Sequence, residues 1–270
     1  MEGFGDRADR ELKWTPFFSL VRRELLRFMH VLIQAVLAPL VNAALYLLIF
    51  GVNLGSSLSD YHGKPYLAFL IPGLIMMSAL NNSFQNISSS VVASRFHGDL
   101  QDLKYMPLSF AQINWALSLG ALGRGFLVAV VVFFVSEFFH FLSFGNFLVI
   151  ENPLAFVVFL TIGCLSFAQI GLFVGFWAKN FEQLNAVGSF ILLPLLYLGG
   201  VFFTIAHLPS FWRSLSQINP LFHLINGSRF GFLGLSDVNW QLSLLVSLVG
   251  LLFLYLLAMS AIKKGSFSQW

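Results

Sequence analysis

Charge is scarce in this chain. Asp, Glu, Lys and Arg make up 10% of its 270 residues and hydrophobic residues make up 57%, whereas soluble domains typically have about 25% charged and about 45–50% apolar residues. Six nearly uncharged apolar segments can be placed along the sequence. Each is long enough to cross a bilayer as a helix of about 20 residues. Because no room remains for a separate soluble domain, we predict one all-α integral membrane domain over residues 1–270.

Cysteine is almost absent as well. The single Cys164 lies inside an apolar segment, so neither an intramolecular disulfide nor a two-cysteine redox motif can form. The net charge of +3 is small, and the basic residues lie at the ends of the apolar segments instead of in one patch. This distribution reports membrane orientation and does not indicate binding to nucleic acid.

The sequence also lacks the common motifs of enzymes. Its histidines do not form the H-E-x-x-H zinc motif, no G-x-S-x-G elbow occurs, and no two carboxylates share a helical face. There is no G-x-x-x-x-G-K-[ST] loop, whose backbone amides would hold nucleotide phosphates. We therefore predict that the chain is not an enzyme, cannot itself hydrolyse ATP, and binds neither a cofactor nor a metal.

What the sequence does contain is a regular series of apolar spans. The basic residues are unequally distributed around them, with 11 of the 15 Lys and Arg on the side of the amino terminus, three on the other side and Arg124 within a span. By the positive-inside rule, both termini are predicted to be cytoplasmic. We place the six spans at about residues 31–52, 65–92, 112–140, 153–177, 184–204 and 240–262.

Two further segments are apolar but are not predicted to cross. Between residues 14 and 28, apolar residues recur at helical spacing and the charged ones fall mainly on the other faces, which predicts a helix in the membrane interface. A cytosolic extension of the first span is the alternative. Residues 205–239 are too few for two crossings and are interrupted by Pro and Gly, so we predict a pair of short re-entrant helices.

The second span is apolar in its first half and polar in its second. Asn82, Gln85, Asn86 and Ser89 are spaced so that they share one helical face. A polar face at this depth must meet another helix or a wet cavity. Two hypotheses remain open, namely a surface that lines a substrate path and polar contacts that hold helices together.

Ionisable residues within the third span are few. Arg124 is a functional candidate by position, although Trp115 indicates a nearby interface, so we expect the arginine to snorkel or to pair with a neighbouring helix. Glu137 and His140 lie three residues apart near the other end of the span, and we predict that they form a hydrogen bond with each other.

The connection between the second and third spans contains a short amphipathic pattern. Phe96, Leu100 and Leu103 can form an apolar stripe, with Asp99, Asp102 and Lys104 beside it and Pro107 at the end. We predict a helix at about residues 95–106 that docks a cytosolic partner. The alternative is a loop helix without a partner.

Three stretches of the sequence together resemble the ABC-2 type transporter permeases, most closely the YadH-like bacterial inner-membrane permeases. They are Ile71–Ser78, Leu195–Phe202, and Leu208–Trp212 continuing through Asn219 and Pro220 to Arg229–Gly234. The resemblance covers almost the whole chain. It implies a half-transporter with an interface helix, six spans, a coupling helix and re-entrant helices before the last span.

The resemblance also implies partners and a task. Two copies of the permease would pair in the inner membrane, and each coupling helix would dock on one of two separate ATPase subunits, which bind ATP and Mg. The docking positions here would be Phe96, Asp99, Leu100, Asp102 and Leu103, with Lys104 departing from the apolar residue that the family pattern has. The cargo would be an amphipathic, lipid-linked, polysaccharide or drug-like molecule exported from the cytoplasm or the inner leaflet.

An ion-coupled secondary transporter is the rival hypothesis, and a membrane scaffold without transport activity is a third. A secondary transporter predicts an acidic residue or an ion site near the membrane midplane. The single acidic residue inside a predicted span, Glu137, lies near its outer edge. The sequence therefore favours the ATP-driven permease.

Overall fold

The computed structural model describes residues 5–30, 32–53, 63–205 and 208–264, which are almost entirely helical. The predicted start of the first span, residue 31, lies outside the described residues. There are two π-helical segments in this part of the chain. Leu47–Asn53 continues α2, and Gly188–Leu192 joins α7 to α8. Helices α1 to α11 are Gly5–His30, Leu32–Tyr46, Tyr66–His97, Leu100–Tyr105, Phe110–Phe144, Pro153–Trp177, Phe181–Val187, Leu193–Leu198, Ser210–Ile218, Pro220–Leu233 and Trp240–Lys264.

Six stretches are long and apolar enough to cross a membrane, which confirms the predicted all-helical fold with six spans. We number them in chain order as spans one to six. We call the end of the bundle with α1, α4 and the last turn of α11 the terminal end, and the other the opposite end. The spans are Ala35–Asn53, Tyr66–His97, Phe110–Phe144, Pro153–Trp177, Phe181–Leu198 and Trp240–Lys264.

Local backbone signals set the ends of these spans. Span three begins earlier than predicted because the Ser109 hydroxyl accepts from the backbone N–H of Gln112 and the Gln112 side chain accepts from that of Ser109, forming a capping box. Span five ends at Leu198 and does not reach residue 204. The reason is Gly200, whose φ of 83° is a left-handed conformation that glycine adopts at low cost.

Span two is the central helix of the bundle. In its most apolar stretch 83% of the residues are buried, against 17% in spans five and six. Span four lies close to it because Gly171 and Gly175 face α3, and a Cβ at Gly175 would lie 2.9 Å from the Cβ of Val91. These two glycines therefore serve helix packing within one chain.

Helix α1 packs along α5 and corrects the predicted interface helix at two points. It is longer than the predicted 14–28, running from Gly5 to His30. Leu20, Glu24 and Phe28 are buried, and their spacing of four places them on one helical face. The prediction that Glu24 points away from the apolar face is therefore wrong. Its backbone lies so close to α5 that a Cβ at Gly120 would be 2.6 Å from the Cβ of Glu24.

The predicted pair of short helices lies between spans five and six. Helices α9 and α10 have 9 and 14 residues, so the longer measures about 21 Å and cannot cross a core of about 30 Å. Asn219 separates them, accepting from the backbone N–H of Leu221 at 3.0 Å and donating to the carbonyl of Leu195 at 2.8 Å. Helix α10 is buried along most of its length against α3, α6 and α11.

Candidate functional site

A cavity of about 760 Å³ lies between spans one, two, three and five. Its wall is mixed: apolar side chains such as Leu74 and Met77 stand beside amides and hydroxyls. Among the described residues that line it, Arg124 is charged and none is acidic. The polar lining consists of Asn42, Tyr46, Ser78, Asn81, Asn82, Gln85, Ser89, Arg124, Asn185 and Tyr197.

The predicted polar face of span two divides in the structure. Asn82, Gln85 and Ser89 line the cavity, whereas Asn86 does not. Asn86 is fully buried, and its side-chain and backbone oxygens accept from Arg27 Nη2 at 3.1 and 2.6 Å. Three residues of this face thus border a cavity, and one holds helices together. That the face lines a substrate path stays a prediction.

Arg124 reaches from span three to span two. Its Nε donates to Asn82 Oδ1 at 3.2 Å, and Asn82 in turn donates to the Ser78 carbonyl at 3.0 Å. Of the two roles expected for Arg124, the geometry is that of pairing with a neighbouring helix. The guanidinium stands at the wall of the cavity, half-way along the bundle.

Two tyrosines close the cavity toward the opposite end. The hydroxyls of Tyr46 and Tyr197 are 3.0 Å apart, and both rings contact Phe202, with centroids at 5.3 and 5.6 Å. Phe202 is held in turn by Tyr66, whose hydroxyl donates to its carbonyl at 2.7 Å. This aromatic layer separates the cavity from the short helices α9 and α10.

A charged cluster lies at the terminal end, where α1 meets span two. Glu24 contacts Arg23 at 3.2 Å and Arg27 at 3.1 Å, and its Oε2 accepts from the Ser90 hydroxyl at 2.9 Å. We call this group the terminal charge centre. The sequence pattern did not reveal it, because an amphipathic reading of residues 14–28 assigns every charge to the solvent side.

A second charged cluster lies at the opposite end, and we call it the opposite charge centre. Arg229 is completely buried, 3.7 Å from Asp237, with its guanidinium 3.8 Å from the centre of the Phe69 ring. Its Nη2 also donates to the Gly200 carbonyl at 2.7 Å. Arg229 lies outside the predicted spans, and no pattern in the sequence indicates its burial.

The loop between spans two and three differs from the predicted single helix over 95–106. Helix α3 continues to His97 and stops at Gly98, whose φ is 86°, and α4 starts afresh at Leu100. Phe96 therefore belongs to α3, where its ring stacks on Phe181 at 5.8 Å. The predicted stripe of Phe96, Leu100 and Leu103 is wrong.

Leu100 and Leu103 do not face outward. They are 1% and 2% exposed and pack into an apolar cluster with residues of α1, α5 and α6. Exposed on this segment are Phe96, Asp99 and Asp102, together with Tyr105 at 81%. The side chain of Lys104 lies outside the part that the structure describes. The leucines thus anchor α4, and the other predicted docking residues remain accessible.

Arg95 makes the anchorage of this segment rigid. Its guanidinium donates to the carbonyls of Ala178 at 2.8 Å and Phe176 at 3.0 Å, at the carboxyl end of α6, where helix carbonyls lack intrahelical partners. The end of span two is therefore tied to the end of span four. No sequence pattern predicts this tie, since the two segments lie far apart along the chain.

The predicted hydrogen bond between Glu137 and His140 does not occur in the structure. Glu137 Oε2 accepts from the backbone N–H of Leu148 at 3.0 Å, and His140 Nδ1 lies 2.9 Å from the carbonyl of Asn146. Both side chains therefore hold the loop that follows span three. This arrangement is structural and offers no proton relay between the two residues.

Comparison with known proteins identifies relatives along nearly the whole chain. Residues 15–233 match the family described as ABC-2 type transporter. The chain is 35% identical over 254 residues to the inner membrane transport permease YadH of Escherichia coli (strain K12), covering 94% of this chain and 97% of the relative. It is 26% identical over 225 residues to nodulation protein J of Rhizobium meliloti (strain 1021), covering 81% of each. The matched residues include the whole cavity and helix α4.

Proposed function

Because this chain belongs to the ABC-2 type transporter family, we propose that it is the permease subunit of an exporter driven by a separate ATPase. That it is a multi-pass inner-membrane transport permease follows from its family and its six spans. The observation that carries the proposal further is the cavity of about 760 Å³ bordered by four spans. Its size falls within the range of about 300–1,000 Å³ that is usual for small-molecule sites.

The energy for transport comes from the partner in this proposal. The sequence has no phosphate loop, so ATP and Mg are bound by the ATPase and the work reaches the permease through physical contact. Two permease copies and two ATPase subunits form the assembly that the family resemblance implies. Both termini and residues 94–107 face the cytoplasm, as the distribution of basic residues indicates.

The ATPase docks on the exposed side of the segment from Phe96 to Tyr105. Phe96, Asp99, Asp102 and Tyr105 offer it two aromatic rings and two carboxylates. Leu100 and Leu103 act on the inner side, where their burial transmits a displacement of α4 to α1, α5 and α6. Span two, which carries Asn82, Gln85 and Ser89, ends directly before this segment.

The cargo is an amphipathic molecule taken from the cytoplasm or the inner leaflet. Support comes from the mixed wall of the cavity, where amide groups of span two stand beside Leu74, Met77 and Leu193. Lipid-linked saccharides, lipids and amphipathic drugs share this chemistry. Nothing on the described wall matches the rival hypothesis of ion coupling, since none of the lining residues is acidic.

Reconstitution with the partner tests the proposal. The purified chain is expected to hydrolyse no ATP, and vanadate-sensitive hydrolysis should appear when a co-purified ATPase is present. The double variant Asn82→Leu with Gln85→Leu should still bind the ATPase and lose the stimulation of hydrolysis by amphipathic probes. Vanadate-sensitive hydrolysis by the chain alone would contradict the proposal. Failure of the double variant to assemble would show that both residues hold helices together and do not border the path.

A further inference from the structure

Among the described residues, Arg124 differs from the other buried or half-buried arginines because its hydrogen-bond acceptor is neither an acidic side chain nor the carboxyl end of a helix. Arg27 is paired with Glu24 at 3.1 Å and Arg229 with Asp237 at 3.7 Å. Arg95 donates to two carbonyls at a helix carboxyl end, where the helix dipole is negative. The hydrogen-bond partner of Arg124 among the described residues is the amide of Asn82. Within the described part of the chain, no acidic side chain compensates its positive charge.

An uncompensated guanidinium within a span is costly unless an anion or water approaches it. Here it stands at the wall of the cavity. Guanidinium groups bind phosphate and carboxylate through two parallel hydrogen bonds, which favours oxyanions over other anions. The cavity thus has a place for an oxyanion at Arg124.

Other groups on the same wall support this assignment. Asn81, Gln85 and Asn185 line the same cavity as Arg124, and each amide carries N–H donors that an oxyanion accepts. An acidic residue would repel such a ligand, and none occurs among the described lining residues. The electrostatic potential at the cavity wall is therefore positive, and the amide N–H groups can donate hydrogen bonds to further oxygens of the same oxyanion.

The wall of the cavity is mixed along its length. Asn82 and Leu74 are separated by eight residues of α3, or about 12 Å along the helix axis, so a polar and an apolar group of span two are within reach of one elongated ligand. Other apolar side chains of the wall are Met77, Phe181, Leu184 and Leu193. A ligand that fits this wall beside Arg124 has a charged head and an apolar body.

We propose that the cavity binds an anionic amphiphile, with a phosphate or similar oxyanion head group at Arg124 and Asn82 and an apolar chain against the apolar lining residues Leu74, Met77 and Leu193. This assignment rests on the proposed function, because it specifies the cargo class of the same site. Arg124 is a binding residue in it, and Asn82 fixes the orientation of its guanidinium.

Binding to the full chain in a neutral detergent tests the assignment without the ATPase. The probe is dodecyl phosphate, and the comparison probes are inorganic phosphate and dodecyltrimethylammonium. Dodecyl phosphate is expected to bind at least about tenfold more tightly than either, and Arg124→Gln should weaken its binding about ten- to a hundredfold, as expected for a lost charge-assisted hydrogen bond. Arg22→Gln, which removes the same charge from an exposed site on α1, should leave the affinity unchanged.

A second variant keeps the test valid if Arg124→Gln does not fold. Asn82→Asp preserves the shape of the side chain and puts a carboxylate at the present hydrogen-bond position, 3.2 Å from the Nε of Arg124. The guanidinium is then neutralised in place, and binding of dodecyl phosphate should fall as much as in Arg124→Gln. Wild-type affinity for dodecyl phosphate in Asn82→Asp or in Arg124→Gln would overturn the assignment.

Native mass spectrometry separates two sources of the ligand. Loss of a co-purified anionic phospholipid in Arg124→Gln would identify a bilayer lipid. Equal phospholipid retention together with weaker dodecyl phosphate binding would identify a cargo that is not a bulk lipid. If dodecyl phosphate binding is indifferent to Arg124 while the Asn82 and Gln85 double variant still loses stimulated hydrolysis, the anion assignment fails and the permease function stands. If dodecyl phosphate binding needs Arg124 but no ATPase partner activates the protein, the anion assignment stands and the proposed ATP-driven function fails.

Discussion

Each of the two charge centres pairs an acidic side chain with arginine, but the two centres differ in their access to water. At the opposite end, Arg229 and Asp237 are 0% and 5% exposed. At the terminal end, Glu24 is 1% exposed, while its partners Arg23 and Arg27 are 40% and 34% exposed. The first centre is a closed pair with balanced charge. The second is one buried acid between two arginines that can turn toward solvent.

This difference indicates which end of the bundle can adapt. A buried pair that loses one partner leaves a charge with no access to water, whereas a half-exposed arginine that loses its partner can be hydrated. The opposite charge centre joins α10 to span two through the Phe69 ring and to the end of span five through Gly200. We therefore expect a rigid closure at that end and a more tolerant joint at the terminal end, where we propose that the ATPase docks.

The largest effect on stability is expected when the carboxylate of Asp237 in the opposite charge centre is removed. Asp237→Asn removes the carboxylate charge that lies 3.7 Å from the buried guanidinium of Arg229, and the expected loss of stability is about 3–5 kcal/mol. The measurement is unfolding of the purified protein in mixed detergent. The matched control is Asp99→Asn, which neutralises an exposed acid and should change stability little. Equal shifts in the two variants would mean that the opposite centre is hydrated.

Glu24→Gln makes the same chemical change at the terminal charge centre. The glutamine keeps an acceptor for Ser90, and both arginines retain access to water, so the expected loss is about 1–3 kcal/mol. The same unfolding assay measures it, with exposed Glu182→Gln as the control. A loss as large as that of Asp237→Asn would show that both ends are equally sealed.

The exposed side of the docking segment should affect coupling and leave stability almost unchanged. Tyr105 is 81% exposed and Leu100 is 1% exposed. Tyr105→Ala should therefore change stability by less than about 0.5 kcal/mol while weakening co-purification of the ATPase. Leu100→Ala removes buried apolar contacts and should destabilise the chain by about 2–5 kcal/mol. Co-purification at the wild-type level in both Tyr105→Ala and Asp102→Ala would place docking elsewhere.

Cysteine labelling assigns the two ends to compartments at no expected cost in stability. In a Cys164→Ala background, Gln101→Cys on α4 and Asn239→Cys before span six are both exposed. A membrane-impermeant maleimide added to intact cells should label Asn239→Cys and spare Gln101→Cys until the membrane is opened. The reverse pattern would invert the predicted orientation and move the docking segment away from the ATP supply.

Hydropathy was sufficient to predict the number and approximate positions of the spans, but not which side chains contact each other. Six spans and a pair of non-crossing helices follow from segment length, because a bilayer has a fixed thickness. The burial of Glu24 does not follow from hydropathy. Helical periodicity predicts that a charged residue faces solvent, whereas Glu24 is buried because it is paired with arginines. Arg229 and Asp237 meet through the turn after Gly234, where φ is 73°, and no periodicity describes such a contact.

The candidate site was predicted in part for a similar reason. Asn82, Gln85 and Ser89 were found because a polar stripe in an apolar helix must face something other than lipid. Asn86 lies on the same stripe, yet its role depends on Arg27 of another helix. The leucines of α4 point inward because the chain reverses at Gly98, where φ is 86° and the helix ends. Sequence patterns give the polarity of a face, but the neighbours of that face decide what each residue does.

The two π-helical segments give the bundle unequal mechanical compliance. Leu47–Asn53 lies in span one and Gly188–Leu192 in span five, and both spans also contain a proline, Pro39 and Pro194. Wider turns and missing backbone hydrogen bonds make a helix easier to bend. These spans form two walls of the cavity, and the continuous α-helices of spans two and three form the others. Span two also contains a proline, Pro72, so it is the π-helical segments that set spans one and five apart. The chamber thus has two sides that bend more easily, and it can widen by flexing them.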